Sequence, residues 1–168
     1  MPRTYRVAQI GPNQIDRAYP LVETVEPSLD LKGWRALCGE VAGHRYPGAE
    51  GDKIIVATNP LGYVQGLCVA AVKESTPDGR VLDVPIFAVA SAADEAGVVA
   101  GLLDYLRDCG RNETCGSIRI WTLAQDNWSR HLDETAVKRW DHGVLMLLDA
   151  GQNVSDGRNL EPPGPIFR

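Results

Sequence analysis

Residues 87–106, FAVASAADEAGVVAGLLDYL, decide how this chain is read. The apolar run 87–90 gives way through Ser91-Ala92-Ala93-Asp94-Glu95 to a segment in which Val98, Val99, Leu102, Leu103 and Leu106 recur at helical spacing. Asp94, Glu95, Asp104, Arg107 and Asp108 take the other faces, so the pattern predicts a strand and then a long amphipathic helix closed by Cys109-Gly110. Such a junction is either a plain helix start or a ligand cradle, because a helix N-terminus presents unpaired N–H donors and a positive dipole end.

Working outward, residues 4–10 (TYRVAQI) predict a first strand, followed by a Gly11-Pro12-Asn13 turn. Ile15, Ala18, Tyr19, Val22 and Val25 then recur at helical spacing, with Pro20 expected to kink or divide that helix. Leu29, Leu31, Trp34, Leu37, Cys38 and Val41 predict a second helix, with Ser28 as N-cap and Gly43 as its stop. Residues 53–59 (KIIVATN) and 63–73 (YVQGLCVAAVK) read as an antiparallel hairpin around Pro60-Leu61-Gly62. Residues 81–90 (VLDVPIFAVA) add a third strand, where Pro85 calls for a bulge or an edge. Beyond the helix lie a strand at 117–123, a helix over 126–140 and an apolar last strand at 143–150. The Pro- and Gly-rich remainder, 151–168, reads as a tail, so the expected organisation is a single domain over 1–150.

Composition narrows the partners. At 168 residues and 44% hydrophobic content the chain has material for one soluble globular core. A formal net charge of -5 offers no sequence-wide basic field for nucleic acid. No apolar run is long enough to span a bilayer and no leader-like segment opens the sequence, so no membrane partner is expected and a cytoplasmic location is the default. Cys38, Cys68, Cys109 and Cys115 form no Cys-x-x-Cys pair and stand away from His44, His131 and His142, so they read as ordinary thiols and no metal is expected.

Strand, two helices, three antiparallel strands, helix, strand, helix, strand is an element order that resembles the GNAT superfamily of acyl-CoA-dependent acyltransferases. Gly66 sits where that family's third strand commonly has glycine, LLDYLRDCG looks like the end of its central helix, and LAQDN (123–127) is similar to its apolar-x-x-x-Asn signature. The resemblance implies an α+β fold with a mixed, mostly antiparallel sheet and helices on both faces. It also implies acetyl-CoA or another acyl-CoA as cosubstrate, held by Val89, Ala90, Gly97, Val98 and Asn127, with an amine or other small molecule as acceptor. Asn127 also reads as a helix cap.

The junction departs from the family. Its pyrophosphate loop, Arg/Gln-x-x-Gly-x-Gly/Ala, falls on residues 94–99, where only Gly97 matches; Asp94 replaces the basic or amide residue and Val99 the last small one. Ser91 as N-cap with Asp94 at N3 forms a capping box, and Asp94 with Glu95 complements the dipole. Each carboxylate would repel a pyrophosphate by about 1 kcal/mol at 4 Å in water-like surroundings. The junction therefore leans to a self-capped helix derived from a cradle, against a shifted or looser CoA mode. The resemblance also implies a tyrosine acid for the leaving thiolate, but Glu134 stands there. Glu40, His44 and Glu74 flank the acceptor side and are the general-base candidates.

Three readings follow. The chain is an N-acyltransferase, or a non-catalytic GNAT-like module that binds a small ligand or partner. Compatible with both, it pairs its last strand, residues 143–150, across a homodimer.

Overall fold

The computed structural model describes residues 4–43, 52–75, 79–90, 94–121, 128–133, 135, 137–140 and 142–148. Among them a 7-stranded sheet runs in the order β1-β2-β3-β4-β5-β7-β6. Its strands are β1 (Arg6–Gln9), β2 (Lys53–Thr58), β3 (Val64–Ser75), β4 (Gly79–Val89), β5 (Ser117–Trp121), β6 (Val137–Trp140) and β7 (Gly143–Leu147). Only the β4–β5 pairing is parallel.

Strand alternation divides the core in two. Ile54, Val56, Leu67 and Val69 pack with Ala18 and Val22 of α1 (Ile15–Val25) and Trp34 and Cys38 of α2 (Leu31–Gly43). Ile55, Ala57, Cys68 and Ala70 face the other way, onto Val98, Val99, Leu102, Leu103 and Leu106 of α3 (Glu95–Asn112). Each of those α3 side chains is buried, a contribution of about 1.5–3 kcal/mol apiece. Close packing also explains Gly66: a Cβ there would lie 2.5 Å from Val98 Cγ1 and 2.9 Å from Leu102 Cδ1. The helices thus cover both faces, as expected for the fold.

Local chemistry sets the element ends. Pro20 does not divide α1, which runs as one helix because Ala18 and Val22 on either side of it are fully buried against the sheet. The cap of α2 is Asp30 rather than Ser28: its carboxylate accepts from Gly33 N at 2.7 Å. Arg35 on α2 clasps Asp16 on α1 through two hydrogen bonds, of 2.9 and 2.8 Å. Asn59 organises the β2–β3 turn, its side chain accepting from Leu61 N and Tyr63 N while Gly62 takes φ +88°.

Two expectations fail after β5. The helix predicted over 126–140 is a short 3-10 turn, Trp128–His131, followed by strand β6. Trp128 and Leu132 sink into the α3-side core, then Asp133 accepts from both Thr135 N and Thr135 Oγ1, which turns the chain into Val137 and a β-hairpin. The last strand is not an edge either. β7 lies between β5 and β6, so its backbone groups are engaged on both sides and β6 is the outer strand. Residues 151–168 lie outside the described residues.

Candidate active site

Among the described residues the parallel strands β4 and β5 pair from Val81↔Ser117 to Val84↔Ile120, and β4 continues to Val89 on β3. Next to that last pair a bulge interrupts β4 at Pro85. Val69 pairs with Ile86 but Ala71 with Asp83, so β4 carries one extra residue there, the expected bulge. The bulge shifts the alternation by one: Leu82 and Val84 face α3 before it, Phe87 after it.

On the α3 side the carboxylates at the start of the helix are paired. Asp94, expected at N3, is itself the N-cap of α3; its Oδ1 accepts from Gly97 N at 3.1 Å and its Oδ2 from the Tyr5 hydroxyl at 3.0 Å. Burial, then the hydrogen bond to Asp94 and its charge, push the Tyr5 phenol up. Ser91, the expected cap, lies outside the described residues. A Cβ at Gly97 would fall 2.3 Å from Asp94 Oδ2, so the carboxylate fills the space this glycine leaves. Glu95 is taken as well, by Arg130 at 3.0 Å and His131 at 2.9 Å. Beside them Phe87 stacks on Trp128, ring centroids 3.9 Å apart.

The opposite face carries a different cluster. Asp83 is 9% exposed and accepts on a single oxygen, Oδ1, from Arg119 Nε at 2.8 Å and Trp121 Nε1 at 3.0 Å. Trp121, the last residue of β5, meets Trp140 edge to face with centroids 5.6 Å apart. Gly143 makes this contact geometrically available: a Cβ there would lie 2.5 Å from Trp140 Cζ2 and 2.4 Å from the Ile120 carbonyl oxygen. The result is a carboxylate between a guanidinium and an indole, beside a half-exposed aromatic wall at the end of the β4–β5 pairing.

Solved structures share this architecture. An acetyltransferase of the GNAT family from Staphylococcus aureus Mu50 superimposes with a TM-score of 0.59 at 8% identity, covering 86% of this chain and 99% of that one. Aminoglycoside N-acetyltransferase AAC(6')-Iy, solved with the bisubstrate analogue CoA-S-monomethyl-acetylneamine, gives 0.61 at 15% identity over 75% of this chain and 84% of that one. Glucosamine-6-phosphate N-acetyltransferase from Arabidopsis thaliana gives 0.58 at 11% identity over 83% and 98%. This chain has the GNAT fold. No family model and no curated protein matches its sequence.

Within the GNAT fold the residues singled out in the sequence scatter. Val89 and Ala90 stand at the end of β4, where Val89 pairs with Gly66 and Ala90 N donates to the Gln65 carbonyl at 2.9 Å. Gly97 and Val98 form the first turn of α3, with Val98 buried against the sheet. Glu40 is exposed on α2. Glu74 pairs with Arg80 at the far end of β3, at 3.3 Å. His44, Asn127 and Glu134 lie outside the described residues. Asp83 was missed because a lone Asp inside an apolar strand carries no periodic signal; its burial beside Arg119 and Trp121 across a parallel pair is visible only once the strands are registered.

Cys38, Cys68 and Cys115 are buried, and burial pushes the Cys38 thiol up to about 11 and raises Cys68 further, which disfavours a reactive thiolate. Among the described residues no three His, Cys, Asp or Glu side chains stand together as a metal site, and no helix is long and apolar enough to cross a membrane.

Proposed function

We propose that this protein is an N-acyltransferase-like protein that transfers an acyl group, acetyl in the first instance, from an acyl-CoA to a primary amine. One observation carries the reading: at the end of the β4–β5 pairing, on the face opposite α3, a hydrogen-bonding carboxylate, Asp83, sits beside an indole wall. An amine acceptor needs a partner for its N–H and a surface that excludes water. Asp83 Oδ2 has no partner among the described residues, because both donors bind Oδ1. That oxygen orients the amine, and Trp121 with Trp140 shields it.

The donor side does not fit a pyrophosphate in the way the GNAT loop would hold one. The amide of Gly97 is satisfied by Asp94, and two carboxylates stand at the start of α3, Asp94 at the cap and Glu95 in the first turn. An acyl-CoA here is held by other contacts or after Asp94 turns away. The Asp94 lock favours a second reading, a GNAT-fold binding module that has lost acyl-CoA.

Calorimetric titration of acetyl-CoA into the purified protein at low salt, with free CoA as comparison, separates the two. Micromolar binding supports the acyltransferase. No heat and no thermal shift with either ligand would sink it in favour of the binding module.

A further inference from the structure

A second concavity lies on the α1 side of the sheet, away from Asp83. Arg17, Leu61, Gly62, Tyr63, Val64 and Gln65 line an open cavity of about 550 Å³, within the range of small-molecule sites. Gln65 lies six residues along β3 from Ala71, the partner of Asp83, which is about 20 Å at strand rise. This cavity is therefore distinct from the acceptor-side cluster.

Its walls are preorganised and uncovered. Leu61 is 81% exposed and Tyr63 62%, yet their turn is fixed by four hydrogen bonds: Asn59 Oδ1 accepts from Leu61 N and Tyr63 N, Gly62 N donates to the Asn59 carbonyl, and Asn59 N to the Tyr63 carbonyl. A rigid turn that holds a leucine and a tyrosine into solvent beside a concavity loses little freedom when a ligand covers them.

The charge is equally specific. Among the described residues no carboxylate lines the cavity, although the protein is net acidic at -5. Arg17 has neither an ion pair nor a hydrogen bond among the described residues, and the neighbouring Asp16 is committed to Arg35. An unpaired guanidinium beside Tyr63 and Gln65 supplies a planar fork of donors for a carboxylate or phosphate, with Leu61, Val64 and the phenol ring for an apolar body.

From these features we infer that the cavity is a binding site for a small organic anion, a carboxylate or phosphate monoester on an apolar or aromatic body, with Arg17 holding the anion and Leu61 and Tyr63 the body. The site does not depend on acyl transfer.

The test uses the full chain, labelled with nitrogen-15, titrated with phenyl phosphate, benzoate and benzyl alcohol in the absence of any acyl-CoA. The expected result is that at least one anion shifts the amides of Gly62, Tyr63, Val64 and Gln65, with at least tenfold higher affinity than benzyl alcohol. Arg17→Ala should lower that affinity at least tenfold while leaving distant amides in place, and Arg17→Lys should restore part of it. The stronger of the two anions identifies the source, phosphate or carboxylate. Absence of shifts at 61–65 with both anions, equal binding of benzyl alcohol, or unchanged affinity in Arg17→Ala would each overturn the inference.

Discussion

The two faces of the sheet differ in what they leave unpaired. On the α3 face every charged group at the helix start has a partner: Asp94 holds Gly97 and Tyr5, and Glu95 holds Arg130 and His131. On the α1 face, among the described residues, Asp83 Oδ2 has no partner and Arg17 no counter-ion, and Leu61, Tyr63 and Trp140 stand exposed. Paired groups have little left to offer a ligand, since each new contact must first break an existing one. The carboxylates at the start of α3 instead tie the Tyr5 segment before β1 and the Trp128 turn to that helix.

The largest effect should come from removing the α1-face cluster without touching the other side. Gly143→Ala places a methyl against the Ile120 carbonyl and the Trp140 ring, and overpacking of this kind costs about 2–3 kcal/mol. Urea unfolding should show that loss. If the variant folds, any amine acetylation should fall with it, because Trp140 can no longer meet Trp121. An unchanged midpoint would mean that β7 has room the packing does not show.

The α3 face is probed next, at Asp94. Asn caps helices as well as Asp does, so Asp94→Asn should keep stability within about 0.5 kcal/mol, whereas Asp94→Ala should cost about 1 kcal/mol. The two variants separate cap from charge. If the carboxylate is what repels a pyrophosphate, Asp94→Asn should raise acetyl-CoA affinity at least tenfold by calorimetry. Equal affinity in wild type and variant would place the obstruction elsewhere, the Glu95 clasp with Arg130 and His131 being the next candidate.

Why some of this was legible beforehand and some was not follows from the range of each interaction. Strand alternation at 53–73, the Pro60-Leu61-Gly62 turn and the Pro85 bulge are local and were readable, as were the α3 stripe and the odd chemistry of Asp94. The predicted helix over 126–140 failed because its indoles and β-branched residues pack across strands, and tertiary contacts outweigh a weak periodic signal there. The sequence placed Ser91 at the cap and Asp94 at N3; Asp94 is the cap, and the Tyr5 hydroxyl, 89 positions away, donates to its second oxygen, a partner no local pattern announces. Asp83, Trp140 and Arg17 acquire their surroundings only through pairings and packing between distant segments, which spacing along the chain does not encode.

The smallest expected effect tests whether the Tyr5–Asp94 bond contributes to the start of α3 at all. The Tyr5 phenol is raised above its ordinary 10.0 in the folded protein, mainly by burial and next by its bond to Asp94. A group with a raised folded value stabilises the protein fully below its unfolded value and loses that contribution as pH rises through the folded one. Wild type should therefore exceed Tyr5→Phe in urea midpoint at pH 9, and the gap should narrow as the pH passes 10 and climbs toward 11, where a phenolate would face the Asp94 carboxylate. Burial raises the Tyr19 and Tyr105 phenols as well, so the readout is the difference between the two proteins and not either curve alone. A gap that stays constant across this range would show that the phenol packs against α3 without its proton mattering, and the helix start would then rest on the Asp94 cap and the Glu95 clasp.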